Sequence, residues 1–150
     1  SIVYLALQVR QNTASIQAQA YQTWVTSRAD LQSKLNESDL AAIVYDGLND
    51  PRTLNGYKWF KFGVWWLSCY QITESIHFLY KNGGIPEERW RSEMESAASW
   101  LKTPGVKQWW ERDKARFSKE FVAYLEEKMA EIPPSATTPT ISKSSLSAAN

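Results

Sequence analysis

The chain has 150 residues, a formal net charge of +1, one Cys and one His. That length fits a single domain able to bury about 70% of the surface exposed by its unfolded chain. One Cys excludes an intrachain disulfide, and one His excludes His-rich metal sites and the two-His di-iron centre of helical bundles. A balanced charge gives no basic footprint for nucleic acid.

No segment alternates with the period of a strand, and the punctuation along the chain suits helices, so the fold class reads as all-α. The first helix runs from Ser1 to about Lys34 with no Gly or Pro, and Ile2, Leu5, Val9, Ile16, Ala20 and Trp24 recur at helical spacings. At 1.5 Å per residue it spans about 50 Å. Its first nine residues are apolar on every side and are followed at once by Arg10. Nine residues are too few to cross a bilayer, which takes about 20. They read as the end of a truncated membrane anchor that projects from the domain, with Tyr4 and Arg10 at headgroup level. The alternative is an ordinary amphipathic core helix.

A short second helix is expected from Ser38, as cap, to Asp46, with Gly47 as its terminating residue. Asn49-Asp50-Pro51 makes a turn. The third helix, from about Leu54 to Lys81, ends at Asn82-Gly83-Gly84 and carries the most apolar surface. Phe60, Val64, Leu67, Tyr70 and Ile76 are assigned to its inner side. Gln71, Thr73, Glu74, Ser75 and His77 would each be costly in hydrocarbon, so this is the core helix of a bundle.

Pro86 opens a fourth helix with Trp90, Met94, Ala97 and Leu101 inward. Thr103 and Pro104 start a fifth, and Ser118 caps a sixth that turns Phe121 and Leu125 inward. The expected organisation is an anchor-proximal helix over 1–34, a bundle of about five helices over 35–132, and a disordered Ser/Thr/Pro/Ala tail over 133–150.

Three features carry candidate chemistry. Glu74 and His77 stand three residues apart on one helix face and form a candidate ligand-binding pair, although a buried structural pair fits the same spacing. Trp65-Trp66 and Trp109-Trp110 are adjacent pairs. Neighbours on a helix point about 100° apart, so one Trp of each pair is expected at a seam or surface, as an interface residue. The run Lys107–Lys119 is basic and bears Trp, which fits either a solvated face or contact with anionic headgroups. Cys69 reads as a small inert core residue. There is no Gly-rich phosphate loop, nucleophile elbow or paired-carboxylate pattern, so neither a catalytic group nor a cofactor is assigned.

The stretches Tyr4-Leu-Ala-Leu-Gln-Val-Arg-Gln-Asn-Thr13, Gly47-Leu-Asn-Asp-Pro51, Glu74, Pro104-Gly-Val-Lys-Gln-Trp-Trp-Glu111 and Phe117-Ser-Lys-Glu-Phe121 carry a resemblance. Over about residues 1–131 the chain resembles a broad group of uncharacterised bacterial proteins with an N-terminal transmembrane helix and a Trp-rich helical domain. The resemblance implies an anchor upstream of Ser1 and a place at the bacterial inner membrane. It supplies no activity. The chain departs from the group's pattern after Pro133. Arg10, Arg28 and Lys34 against Asp30 point to a cytoplasmic helical domain. The expected function is a membrane-anchored interaction or scaffold module. Its partners are the membrane and a protein or second copy, with no nucleic acid. The alternative is a small-molecule sensor or weak enzyme using a pocket near Glu74 and His77.

Overall fold

A computed structural model describes residues 1–37 and 39–133. The proposed cap Ser38 and all of the expected tail except Pro133 lie outside the described residues. The described residues form six α-helices: α1 Ile2–Lys34, α2 Leu40–Asn49, α3 Gly56–Lys81, α4 Glu87–Trp100, α5 Pro104–Asp113 and α6 Lys119–Glu131. Short 3₁₀ turns at Pro51–Thr53 and Lys114–Arg116 complete the order.

The helix ends are built by local chemistry. Ser1 Oγ accepts from the Tyr4 N–H, Asn55 Oδ1 from the Lys58 N–H and Ser118 Oγ from the Phe121 N–H, each meeting a donor left free in a first helical turn. At the end of α3 the Gly84 N–H donates to the Leu79 carbonyl and the Gly83 N–H to that of Tyr80. This is a Schellman cap, and it needs the φ of +71° that Gly83 adopts.

Helix α1 divides into two parts. From Gln17 onward one stripe, Ala20, Tyr21, Trp24, Arg28, Leu31 and Leu35, turns toward the domain, and Trp24 is buried. This part runs antiparallel to α3. Gln17 Nε2 donates to the Asn82 carbonyl at 2.8 Å, and Trp24 Nε1 donates to the Ile72 carbonyl at 3.0 Å. The second half of the long helix therefore belongs to the bundle. Residues 2–16 are exposed on every side, so the helix runs free of the domain for about 22 Å.

Helix α3 is the axis of the core, with α1, α2, α4 and α5 packed around it. Phe62, Trp65, Trp66, Tyr70 and Ile76 are buried on it, and Met94, Leu101, Val106, Trp109, Trp110, Phe121 and Leu125 meet them from the other helices. Tyr70 stands at the centre. Its ring lies 5.4 Å from Trp109 and 5.2 Å from Trp110 between centroids, and its hydroxyl donates to the Ala97 carbonyl at 2.8 Å. Burial raises the Tyr70 pKa well above the usual phenol range.

The structure departs from three of the expectations read from the sequence. First, Phe60 and Val64 face solvent, at 66% and 46% exposure, and Leu67 is only half-buried. The helix is apolar all round, so periodicity alone did not fix its rotation, and turning Phe62, Trp65 and Trp66 inward buries larger rings. Second, all four paired tryptophans are buried, at 8% for Trp65, 5% for Trp66 and 1% each for Trp109 and Trp110. Helices α3 and α5 have neighbours on more than one side, so ring directions about 100° apart both find cover. These residues present no exposed Trp interface. Third, Gly47 does not terminate α2, which continues to Asn49. Gly47 is buried where α2 and α5 cross backbone to backbone against Gly105.

Candidate functional site

Glu74 and His77 project from α3 into an open cleft of about 670 Å³, bordered by α1 and by Ser118 and Glu120 at the start of α6. The sequence placed these two residues together, and the structure shows that each is already engaged. Glu74 is half-buried, and its Oε1 accepts from the Ser118 backbone N–H at 2.8 Å. The donor comes from the α6 backbone and not from His77 on the same helix face. The carboxylate instead ties the middle of α3 to the N-cap residue of α6. Carboxylates are favourable at helix N-termini because the free N–H groups and the helix dipole present positive charge there.

His77 is buried at 8% exposure, and its Nδ1 accepts from Trp90 Nε1 at 3.1 Å. An indole nitrogen only donates, so Nδ1 carries the lone pair and the neutral ring holds its proton on Nε2. Nε2 is buried without a hydrogen-bond partner and lies 3.8 Å from Glu120 Oε1. Glu120 is itself paired with Lys81, which holds its carboxyl below the usual range. The rings of Trp90, Phe121 and Tyr124 surround the imidazole at 5.2–5.9 Å between centroids. Burial holds the His77 pKa below 6.5, against a smaller upward pull from Glu120.

This arrangement limits the chemistry. A general base needs a free lone pair, and that of His77 is occupied by Trp90. Glu74 is held by the α6 cap through Oε1, so it serves first as a tether between α3 and α6. At neutral pH the cluster offers one N–H donor beside an ion pair, which suits orientation of a polar group better than proton abstraction. Among the described residues no group of three or more His, Cys, Asp or Glu side chains is placed to hold a metal ion. Trp90, Ser118 and Glu120 complete the cluster and were not assigned to it from the sequence. The segment Phe117–Phe121 contained the signal, as a capping motif with no indication of which helix it would meet.

Two outcomes follow from this geometry. Removing the Glu74 carboxylate with Glu74→Ala leaves the Ser118 N–H unpaired and is expected to cost about 1–2 kcal/mol in urea unfolding, near the low end for bonds to charged groups because the site is half-open. Glu74→Gln keeps an acceptor and is expected to lose less than half as much. Two variants as stable as the wild type would show that the bond to Ser118 carries no weight.

The second outcome concerns pH. The folded state favours neutral His77, so the unfolded chain takes up this proton first. The stability held by neutral His77 is complete above the ordinary value of 6.5 and is lost as pH falls below it toward the lowered folded value. The urea midpoint is expected to drop between pH 7.5 and 5.5, and His77→Gln is expected to flatten that drop. An unchanged slope in the variant would contradict the assignment.

The remaining sequence candidates are structural. Cys69 is half-buried, and burial pushes its thiol up to about 12. Three cations of the basic run are paired: Lys114 with Glu111 and with Glu126 of α6, and both Arg112 and Arg116 with Asp113.

The other candidate is the exposed first part of α1, where Tyr4 and Arg10 stand. Ile2, Val3, Tyr4, Leu5, Leu7 and Val9 are 53–85% exposed. At 100° per residue they point in all directions around the helix. Arg10 is the first charged side chain. Among the described residues no helix is long and apolar enough to cross a membrane. No family model, curated protein or solved structure matches the chain.

Proposed function

We propose that the chain is a membrane-associated helical module, whose free α1 arm enters the apolar layer of a bilayer and holds the bundle at its surface. The observation that carries this reading is the spread of exposed apolar side chains around residues 2–9 of the arm, where Gln8 is the one polar side chain. A groove on a protein partner covers one stripe of a helix, whereas hydrocarbon covers every side at once. From Tyr4 onward the backbone N–H groups of the arm are bonded within α1 or to its cap, as an apolar medium requires. Residues 2–9 span about 12 Å, less than half of the roughly 30 Å hydrocarbon layer, so this segment accounts for entry into one leaflet. Arg10 then falls at headgroup level. The bundle is the part left to meet a protein partner or a second copy, and the reading assigns it no catalysis. A small-molecule role for Glu74 and His77 ranks second, because both already serve internal contacts.

The test is co-sedimentation of the full chain with vesicles of phosphatidylethanolamine and phosphatidylglycerol, beside the double variant Leu5→Asp/Leu7→Asp. Each acid at depth costs up to about 3 kcal/mol, so the pair is expected to weaken binding by about 100-fold or more. Wild-type protein that stays in the supernatant, or a double variant that binds equally well, would refute the proposal. In a bacterial inner membrane, the position of Arg10 directly after the apolar segment supports a bundle on the cytoplasmic side. A reporter fused after Asn150 that is active only in the periplasm would reverse that orientation.

A further inference from the structure

The aromatic core is open on one side. A cleft of about 270 Å³ enters between α1, α2, α3 and α4, and Leu31, Leu35, Val44, Trp65, Trp66 and Trp100 supply its apolar wall. Its charged lining groups are Arg28 and Glu93. Glu93 is buried and bonded to Arg28 on one oxygen, while its other oxygen lies 3.2 Å from Arg89 Nη2. Two guanidinium groups, Arg28 in the cleft lining and Arg89 outside it, thus share one carboxylate, so the charge of Arg28 is only partly neutralised and the cluster carries a surplus positive charge. The same two guanidiniums lie over the Trp24 ring, at 5.7 Å for Arg28 and 5.4 Å for Arg89, which holds them in place. The other titratable lining groups, Cys69 and Tyr70, are neutral at pH 7, because burial raises both. Asp30 and Lys34 belong to a separate shallow groove. Trp66 is 95% buried, since it is 5% exposed, and its Nε1 has no hydrogen-bond partner. Buried donors are seldom left so.

We infer that this cleft binds a small amphipathic carboxylate, with a short hydrocarbon body against Trp66 and Trp100 and its charged head at Arg28. The surplus charge selects an anion, and the wall selects an apolar body. A few placed polar groups in an apolar concavity are the usual make-up of a small-molecule site. The volume lies just under the roughly 300 Å³ at which such sites begin, so the ligand is short, closer to an eight-carbon acid than to a membrane lipid. The inference does not rest on membrane association, because the cleft lies on the bundle and the arm is remote from it.

The experiment is a tryptophan-fluorescence titration of the full chain with octanoate, 1-octanol and octylammonium, confirmed by calorimetry. Octanoate is expected to bind saturably and at least tenfold more tightly than either of the others. Arg28→Gln, which leaves Arg89 to pair Glu93, is expected to weaken octanoate at least tenfold. Ser96→Trp, at the exposed rim of the cleft, is expected to block it. Thermal melting of each variant shows whether it is folded, and the ligand comparison on wild-type protein decides the matter if Arg28→Gln is not. No saturable signal at millimolar octanoate, or octanol binding as well as octanoate, would overturn the inference. The arm variant Leu5→Asp/Leu7→Asp is expected to bind octanoate normally, which separates this site from the membrane reading.

Discussion

Gly105→Ala is expected to destabilise the domain by about 3 kcal/mol or more, the upper end for overpacking a core. A Cβ at Gly105 would lie 2.0 Å from the Gly47 carbonyl oxygen, 2.9 Å from its carbonyl carbon and 3.1 Å from the Phe62 ring. The first two contacts are with backbone, so no rotamer change relieves them, and α5 must move away from α2. Such a movement would also loosen Val106, Trp109 and Trp110, which α5 carries into the core. With about 2–4 °C per kcal/mol for a chain of this size, the melting midpoint should fall by about 6–12 °C. Gly56→Ala is the control. Nothing lies within 4 Å of a Cβ there, and Ala is the better helix former, so that variant should be neutral or slightly more stable. A Gly105→Ala midpoint within 2 °C of wild type would show that the two helices do not cross this closely.

Trp110→Ala is expected to cost about 3–5 kcal/mol, as for other large aromatic residues removed from cores. The side chain is 1% exposed and its ring stacks on Phe117 with centroids 5.5 Å apart. Its Nε1 donates to Glu126 Oε1 at 3.2 Å, so truncation also takes a donor from α6. Trp110→Phe keeps the stacking and loses the hydrogen bond and part of the volume. It should fall between wild type and Ala in urea unfolding, with the near-UV dichroism of the aromatic cluster reduced. A loss below about 1 kcal/mol for Trp110→Ala would place this ring outside the core.

Local chemistry made the helices legible. Pro104, Ser118 and Gly83-Gly84 act through caps and φ angles that depend on a few neighbouring residues, and each stands at a helix end in the structure. The projection of the first residues of α1 was legible for a related reason, since a segment apolar on all sides has no single face to dock. The rotation of α3 was not legible. With Phe60, Phe62, Val64, Trp65 and Trp66 in one run, several stripes are equally apolar, and the positions of the other helices choose among them. The Gly47–Gly105 contact joins residues far apart in sequence, and a glycine used for close approach looks the same in a sequence as one used to end a helix.

The candidate site was half legible. The shared face of Glu74 and His77 follows from their spacing, and both line one cleft. Their partners, Ser118 and Trp90, arrive from α6 and from α4, where no local pattern marks them. Glu93 was missed because it reads as an ordinary surface acid four residues after Arg89. Only the approach of Arg28 from α1 makes it a buried, twice-paired group.

The most direct measurement compares the full chain with a chain beginning at Asn12, by thermal melting and by vesicle co-sedimentation on the same preparations. The arm makes no contribution to the core, and the tie from Gln17 to Asn82 is retained in the shorter chain. The expected result is an unchanged melting midpoint together with loss of vesicle binding. A midpoint lowered by several degrees would mean that the arm packs on the domain, and vesicle binding that survives its removal would mean that the membrane contact lies elsewhere.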